Sequence, residues 1–270
     1  GRAAIFADTG LGKTRMQLVW ADEVARATEC PVLILAPLAV AEQTCAEARS
    51  IGIDARRAYS EDDGGAVVVT NYDRVHLFDH ARYGGVVLDE SSIIKHHDSK
   101  TFAYLTDAFM QTPYKLCATA TPAPNDWMEL GTHAEFLGVK SRTEMLAEYF
   151  THDGGETQKW RLKGHARVPF WQWVSSWGAM IRSPADLGFD ASAYELPPLT
   201  VREHMVDCGE WSGGDLFMIE ASSLSERRDA RRSSINERVA ACADAVNGDD
   251  SPWVIWCELN AESDALTAAI

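Results

Sequence analysis

Apolar residues in this chain come in short runs separated by helical patterns. The first run, Ala3-Ala4-Ile5-Phe6-Ala7, ends at Asp8-Thr9-Gly10, and a helix is predicted from about Lys13 to Ala27. The second run, at residues 32–36, closes on Pro37 and leads into a helical stretch at 41–50. Further runs occupy residues 66–70, 85–89 and 114–119. Short strands that are apolar on both sides and alternate with helices predict an α/β fold, a parallel sheet covered on both faces. Several runs end in small or polar residues, where such sheets place ligands.

Between about 140 and 207 the alternation breaks. This stretch holds a glycine turn at Asp153-Gly154-Gly155, a tryptophan-dense segment, and Leu196-Pro197-Pro198-Leu199, which reads as an extended connection. Phe170, Val174, Trp177 and Ile181 recur at helical spacing and predict a packed accessory helix. One long helix is predicted over 225–246, with Ile235, Val239, Cys242 and Val246 on one face and Gly248 just past its end. Trp253-Val254-Ile255-Trp256-Cys257 reads as a buried strand, and another helix starts near 262. The expected division is 1–140, 141–205 and 206–270. The chain is in a strand pattern by Ala3 and stops inside a helical pattern at Ile270, as an internal fragment of a longer protein would.

Of the 270 residues 46% are apolar and 24% charged, enough to bury a core. The 40 acids against 25 bases give a formal charge of −15, which argues against indiscriminate coating of nucleic acid. Any phosphate contact needs a local basic track. Two are visible: Lys159, Arg161, Lys163 and Arg167 among tryptophans, and Arg227, Arg228, Arg231 and Arg232. The first stands evenly between a solvated surface and a patch that binds single strands by stacking and phosphate pairing, whereas a solvated helix face paired with Glu226 and Asp229 is the plainer reading of the second. No apolar run reaches the ~18 residues of a membrane span, and no secretory leader is read, so a reducing cytoplasm is expected. The six cysteines, Cys30, Cys45, Cys117, Cys208, Cys242 and Cys257, form no C-x-x-C pair, so neither a zinc site nor a disulfide framework is expected. His96-His97 lacks ligands at metal-site spacing. Trp127, Glu129 and His133 read as parts of a packed helix.

The chemistry concentrates in two places. Ala7-Asp8-Thr9-Gly10-Leu11-Gly12-Lys13-Thr14 runs from a buried strand through a small-residue loop into a helix start. Backbone N–H groups of such a loop, together with the helix N-terminus, attract phosphate. Thr9, Gly10, Leu11 and Gly12 would wrap it, Lys13 would sit against the β- and γ-phosphates, and the Thr14 hydroxyl would join Mg²⁺. The second place is Val86-Val87-Leu88-Asp89-Glu90, where Asp89 can hold the metal or its water and Glu90 can act as general base. Together they predict a nucleoside triphosphatase.

These residues resemble superfamily 2 helicases and translocases, and the loop, ADTGLGKT, resembles the Swi/Snf-type branch. Other blocks fall in the family's order. Leu35-Ala36-Pro37-Leu38 and Val69-Thr70-Asn71-Tyr72 resemble blocks of the nucleic-acid track, which implicates Pro37 and Thr70. Asp89-Glu90-Ser91-Ser92-Ile93-Ile94-Lys95 resembles Asp-Glu-x-His-x-x-Lys, with Ser92 where the family has His. Ala118-Thr119-Ala120-Thr121-Pro122, followed by Asn125, resembles the block that couples hydrolysis to movement through Thr119 and Thr121. Met180-Ile181-Arg182 and Leu196-Pro197-Pro198 resemble the passage between lobes, and 253–259 resembles the start of a second lobe. The compact form and VIWCELNAESDAL are similar to helicase-like proteins of bacteriophages.

The resemblance implies a RecA-like first lobe, the beginning of a second, ATP and Mg²⁺ as cofactors, and DNA as partner, with RNA left open. The family's adenine-contacting glutamine region and its second-lobe arginines are absent from the residues given, so weak nucleotide binding and slow turnover are expected of this fragment. Two other readings stand beside the motor. One is a different P-loop machine such as a phage packaging ATPase, and the other is a nucleotide-gated DNA-binding module without turnover.

Overall fold

A computed structural model describes residues 1–153, 156–207, 223–248 and 250–270. The chain separates into two compact units, Gly1–Leu196 and Pro197–Ile270.

The first unit is built on a seven-stranded sheet. Its strands are β1 (Arg2–Ala7), β2 (Val32–Ala36), β3 (Ala55–Arg57), β4 (Val67–Asn71), β5 (Gly85–Asp89), β6 (Tyr114–Ala118) and β9 (Gly178–Ile181). A separate antiparallel pair is formed by β7 (Phe150–Asp153) and β8 (Glu156–Leu162). The sheet order is β3-β4-β2-β5-β6-β1-β9, and every pairing is parallel.

Alternation along each strand divides the core into two layers. Val32, Ile34, Val67, Val69, Val87 and Leu116 face the layer of α1 (Lys13–Thr28) and α2 (Ala41–Ser50), meeting Leu18, Ala21 and Cys45. Ala4, Phe6, Leu33, Leu35, Val68, Val86, Leu88 and Cys117 face the opposite layer. That layer is made by α3 (Lys100–Ala108), α4 (Leu130–Leu137), α5 (Arg142–Tyr149) and α6 (Arg167–Ser175). Asp89 has the parity of Val87, so its side chain turns toward α1.

The first compact unit runs to Leu196 and takes in β9, which pairs with β1 in the register Ala4↔Gly178 to Ala7↔Ile181 and forms one edge of the sheet. The accessory helix differs from its prediction. It stops at Ser175, buries Phe170 and Val174, and turns so that Trp177 packs edge-on against Phe6 at 5.9 Å, while Ile181 lies in β9. Trp173 stacks on Tyr149 and Trp171 packs on Trp127, so these aromatic rings serve packing. Lys163 donates to the Ala147 and Glu148 carbonyls, closing the end of α5. Gly154, Gly155 and the Lys159 side chain lie outside what the structure describes.

The second unit holds α7 (Leu224–Ser233), α8 (Ile235–Asn247) and α9 (Asn260–Ala269). The single predicted helix is two. Ser233 and Ser234 donate their hydroxyls to the Ala230 carbonyl, in competition with the helical ladder, and the break falls at Ser234. Val239, Ala243 and Leu266 pack α8 on α9, beside an Arg238–Glu262 ion pair. Residues 253–257 are not a strand, contrary to the sequence pattern, and Trp256 is 92% exposed. A strand exists through its ladder, and among the described residues none pairs with this segment. Arg231 pairs with Glu258, and Arg232 with Asp229 at 3.8 Å. Cys208 lies outside the described residues. No helix among them is long and apolar enough to cross a membrane.

Candidate nucleotide site

The loop residues 8–12 leave the carboxyl end of β1 and enter α1. Gly10 and Gly12 take φ +80° and +78°, a region where a side chain is strained, and an added Cβ at either would meet nothing within 4 Å. Glycine is therefore needed for backbone shape here rather than for space. Asp8 accepts from the Thr9 N–H at 2.7 Å, which tightens the turn. Lys13 Nζ donates back to the Ala7 and Asp8 carbonyls at 2.9 and 3.1 Å, inside the curl of its own loop. Thr14 follows in the first turn of α1, partly exposed.

Sheet register brings the acids alongside. Asp89 is level with Ala118, and Ala118 with Ile5, so β5 lies two strands from β1 with β6 between them. Two strand spacings are about 10 Å. The loop after β1, Asp89-Glu90 after β5 and Thr119 after β6 thus end on one edge of the sheet, where open parallel sheets bind ligands.

Asp89 is 6% exposed, and its Oδ1 accepts from Gln17 Nε2 at 2.7 Å. Burial pushes the Asp89 carboxyl up, the Gln17 bond draws it back, and the neighbouring Glu90 charge raises it further. The Tyr72 hydroxyl donates to the Asp89 carbonyl at 2.6 Å and fixes that peptide. Glu90 adopts φ +51°, a left-handed conformation that costs a non-glycine residue about 1–2 kcal/mol. The turn swings the Glu90 side chain out to solvent, where Thr119 Oγ1 donates to Oε2 at 3.1 Å. The same Oγ1 accepts from the Thr121 N–H at 3.2 Å, so one hydroxyl links Glu90 to the loop after β6.

Behind the acids a hydrogen-bonded chain runs from a buried imidazole to the surface. His133, on α4, is fully enclosed, and burial lowers it to about pKa 4, so it is neutral near pH 7. Its Nδ1 faces the Glu129 carbonyl at 3.2 Å and must donate, which leaves Nε2 to accept from Ser91 Oγ at 3.2 Å. The Glu129 carboxylate in turn accepts from the Asn125 backbone N–H and from Nδ2, at 3.2 and 2.7 Å.

The other anticipated residues divide. Pro37 lines an open groove of about 480 Å³ with Tyr72, Asp73, Glu90, Ser92 and Lys95. Thr70 is 1% exposed and sits inside β4, and among the described residues its hydroxyl has no hydrogen-bond partner. Thr70 is enclosed between neighbouring strands, one residue before the end of β4. Gln17 escaped the sequence reading. Its signal was present, a lone amide four residues after Lys13, beside the apolar positions Leu18 and Ala21.

Mg²⁺ takes hard oxygen donors and keeps several waters when it shares them with phosphate. The Thr14 hydroxyl and the Asp89 carboxylate are donors of that kind, and the site fits the ion. Among the described residues no group of three or more His, Cys, Asp or Glu side chains could hold a metal without such help.

No family model and no curated protein matches the chain. Among solved structures it is similar to a Sulfolobus solfataricus SWI2/SNF2 ATPase core in complex with dsDNA. That match has 20% identity over 67% of this chain and 40% of that one, with a TM-score of 0.54. It is also similar to the Pyrococcus furiosus Hef helicase domain, at 16% identity over 52% and 34% and a TM-score of 0.43. A hypothetical ATP-dependent RNA helicase from Sulfolobus tokodaii matches at 15% identity over 52% and 46%, with a TM-score of 0.40. The first likeness establishes the fold: the parallel sheet flanked by helices is that of a RecA-like lobe. The chain spans 40% of the length of the Sulfolobus solfataricus core.

Proposed function

We propose that this chain carries the ATP-hydrolysing lobe of a nucleic-acid motor of the superfamily 2 helicase and translocase kind, with DNA as its track. The observation that carries the reading is the meeting of the glycine loop, Lys13, Asp89, Glu90 and Thr119 on one edge of a single parallel sheet.

In this reading the N–H groups of residues 9–12 and the start of α1 receive the phosphates, and Lys13 exchanges its two loop carbonyls for β- and γ-oxygens. Thr14 and Asp89 would hold Mg²⁺, which when bound would supply positive charge to neutralise the phosphates. Glu90, oriented by Thr119, takes the proton of the attacking water. Thr119 and Thr121 pass the state of Glu90 to the loop that leads to Asn125. The groove beside Pro37 opens next to Glu90 and is where the strand would lie, so a change at one end of the acid loop reaches the other.

The test is steady-state ATP turnover with and without DNA, in the wild type and in Glu90→Gln. Losing a general base costs about 10²–10⁴ in rate, so the variant should bind ATP normally and hydrolyse it at least a hundredfold more slowly. Equal turnover in both proteins would remove Glu90 as the base. ATP binding that Lys13→Ala leaves unchanged would remove the phosphate loop itself.

A further inference from the structure

Lys13, Thr14 and Gln17 lie on one face of α1, because residues three and four apart on a helix are neighbours. Lys13 and Thr14 stay partly open to solvent, whereas Gln17 is 1% exposed among Leu18, Ala21 and the sheet. A buried amide without a partner costs about 1–3 kcal/mol. Its Nε2 finds that partner at 2.7 Å in Oδ1 of Asp89, a residue 72 positions away and itself nearly enclosed. A carboxylate has about four acceptor sites, so this donor orients it and leaves the rest of its oxygen surface available.

We propose that Gln17 is a positioning residue for the metal. It fixes the rotamer of Asp89 and ties it to the helical turn that carries Thr14, so that the two metal-side groups form one rigid unit before nucleotide arrives. An amide suits this task better than a cation. It directs the carboxylate without neutralising the charge that attracts Mg²⁺. Partners of this kind, behind a metal ligand, are worth about 10–100-fold in metal affinity.

The inference rests on the nucleotide site proposed above. It is tested by equilibrium binding of a fluorescent ATP analogue, titrated with Mg²⁺ and repeated in EDTA. Gln17→Met keeps the length of the side chain and removes the donor. It should bind nucleotide in EDTA as the wild type does, and need about tenfold more Mg²⁺ for the half-maximal gain in affinity. Gln17→Asn keeps an amide one methylene too short and should show the same displacement, which gives a second reading if the methionine variant does not fold. Added to Asp89→Asn, either change should have no further effect on the Mg²⁺ dependence. A wild-type Mg²⁺ midpoint in both Gln17 variants would overturn the proposal. So would an equal loss of affinity in EDTA, because Gln17 would then only pack the loop. A wild-type protein whose nucleotide binding ignores Mg²⁺ would instead bring down the site itself, an outcome visible before any variant is made.

Discussion

Mild acid should weaken the larger unit through His133. This imidazole is fully buried and held between Ser91 and the Glu129 carbonyl, and its folded value is about 4 against an ordinary 6.5. Burial is the main cause, because a charged ring is poorly solvated there. The folded value is depressed, so between these limits the unfolded chain binds more protons than the folded one. The stabilisation is therefore complete above pH 6.5 and is lost as pH falls toward 4. At about 1.4 kcal/mol for each pH unit of displacement, the full effect is about 3 kcal/mol. Asp89 acts with the opposite sign, since its raised carboxyl makes the folded state the better proton binder. The wild type alone would therefore blur the two. The assay is urea unfolding followed by tryptophan fluorescence across this pH range, for the wild type and for His133→Gln. The glutamine variant should be less stable at neutral pH, since it loses the edge-on packing against Phe6 at 5.4 Å. Its stability should nevertheless fall less on acidification, so the gap between the two proteins should narrow by about 3 kcal/mol by pH 4. A gap that stays constant with pH would refute the assignment of a buried neutral imidazole.

Lys115 should produce a slope at the alkaline end. It is buried, donates to the Phe136 carbonyl at 2.9 Å, and has a folded value of about 8 against 10.5. Wild-type stability relative to Lys115→Met should therefore rise as pH goes from 8 to 10.5, and parallel curves in urea titrations would contradict this. Gly10→Ala should cost about 1 kcal/mol of stability through its positive φ alone, with a larger loss of nucleotide affinity; thermal melts and ATP titration read the two effects separately. Thr119→Val removes the hydroxyl that links Glu90 to the Thr121 N–H. It should slow turnover about 10–100-fold at unchanged ATP affinity, as expected for a hydrogen bond to a charged group worth 1.5–3 kcal/mol. A drop in affinity with normal turnover would argue against that role.

The central strands were legible because burial on both faces leaves unbroken apolar runs, and 32–36 and 85–89 match β2 and β5 to the residue. Elements without such a signature were missed or read only in part. On α4, anticipated only as a packed helix around Glu129 and His133, seven of eight residues are buried, so no polar face marks its period or its ends. The β9 segment is four residues long with two exposed, and only its pairing with β1 makes it a strand. The run at 253–257 carries the signature without the ladder; among the described residues it forms no regular element and is exposed except at the half-buried Ile255. In the site, whatever is contiguous could be read, such as the loop through Thr14 and the Asp89-Glu90 pair. Contacts that depend on sheet order, Gln17 with Asp89 and Ser91 with His133, could not. The burial of Thr70 was likewise invisible, because a threonine at a strand end has the same letters whether it faces a groove or the core.

The proposed function requires one Mg·ATP site shared by the Gly10–Thr14 loop and Asp89-Glu90. The most direct measurement is the equilibrium affinity for ATP, with Mg²⁺ and with EDTA, of the wild type, Lys13→Ala and Asp89→Asn. Losing a charged hydrogen bond of 1.5–3 kcal/mol corresponds to about 10–100-fold. Lys13→Ala should lose that much under both conditions, whereas Asp89→Asn should lose affinity only when Mg²⁺ is present. Wild-type affinity in Lys13→Ala, or an Asp89→Asn response independent of the metal, would contradict it.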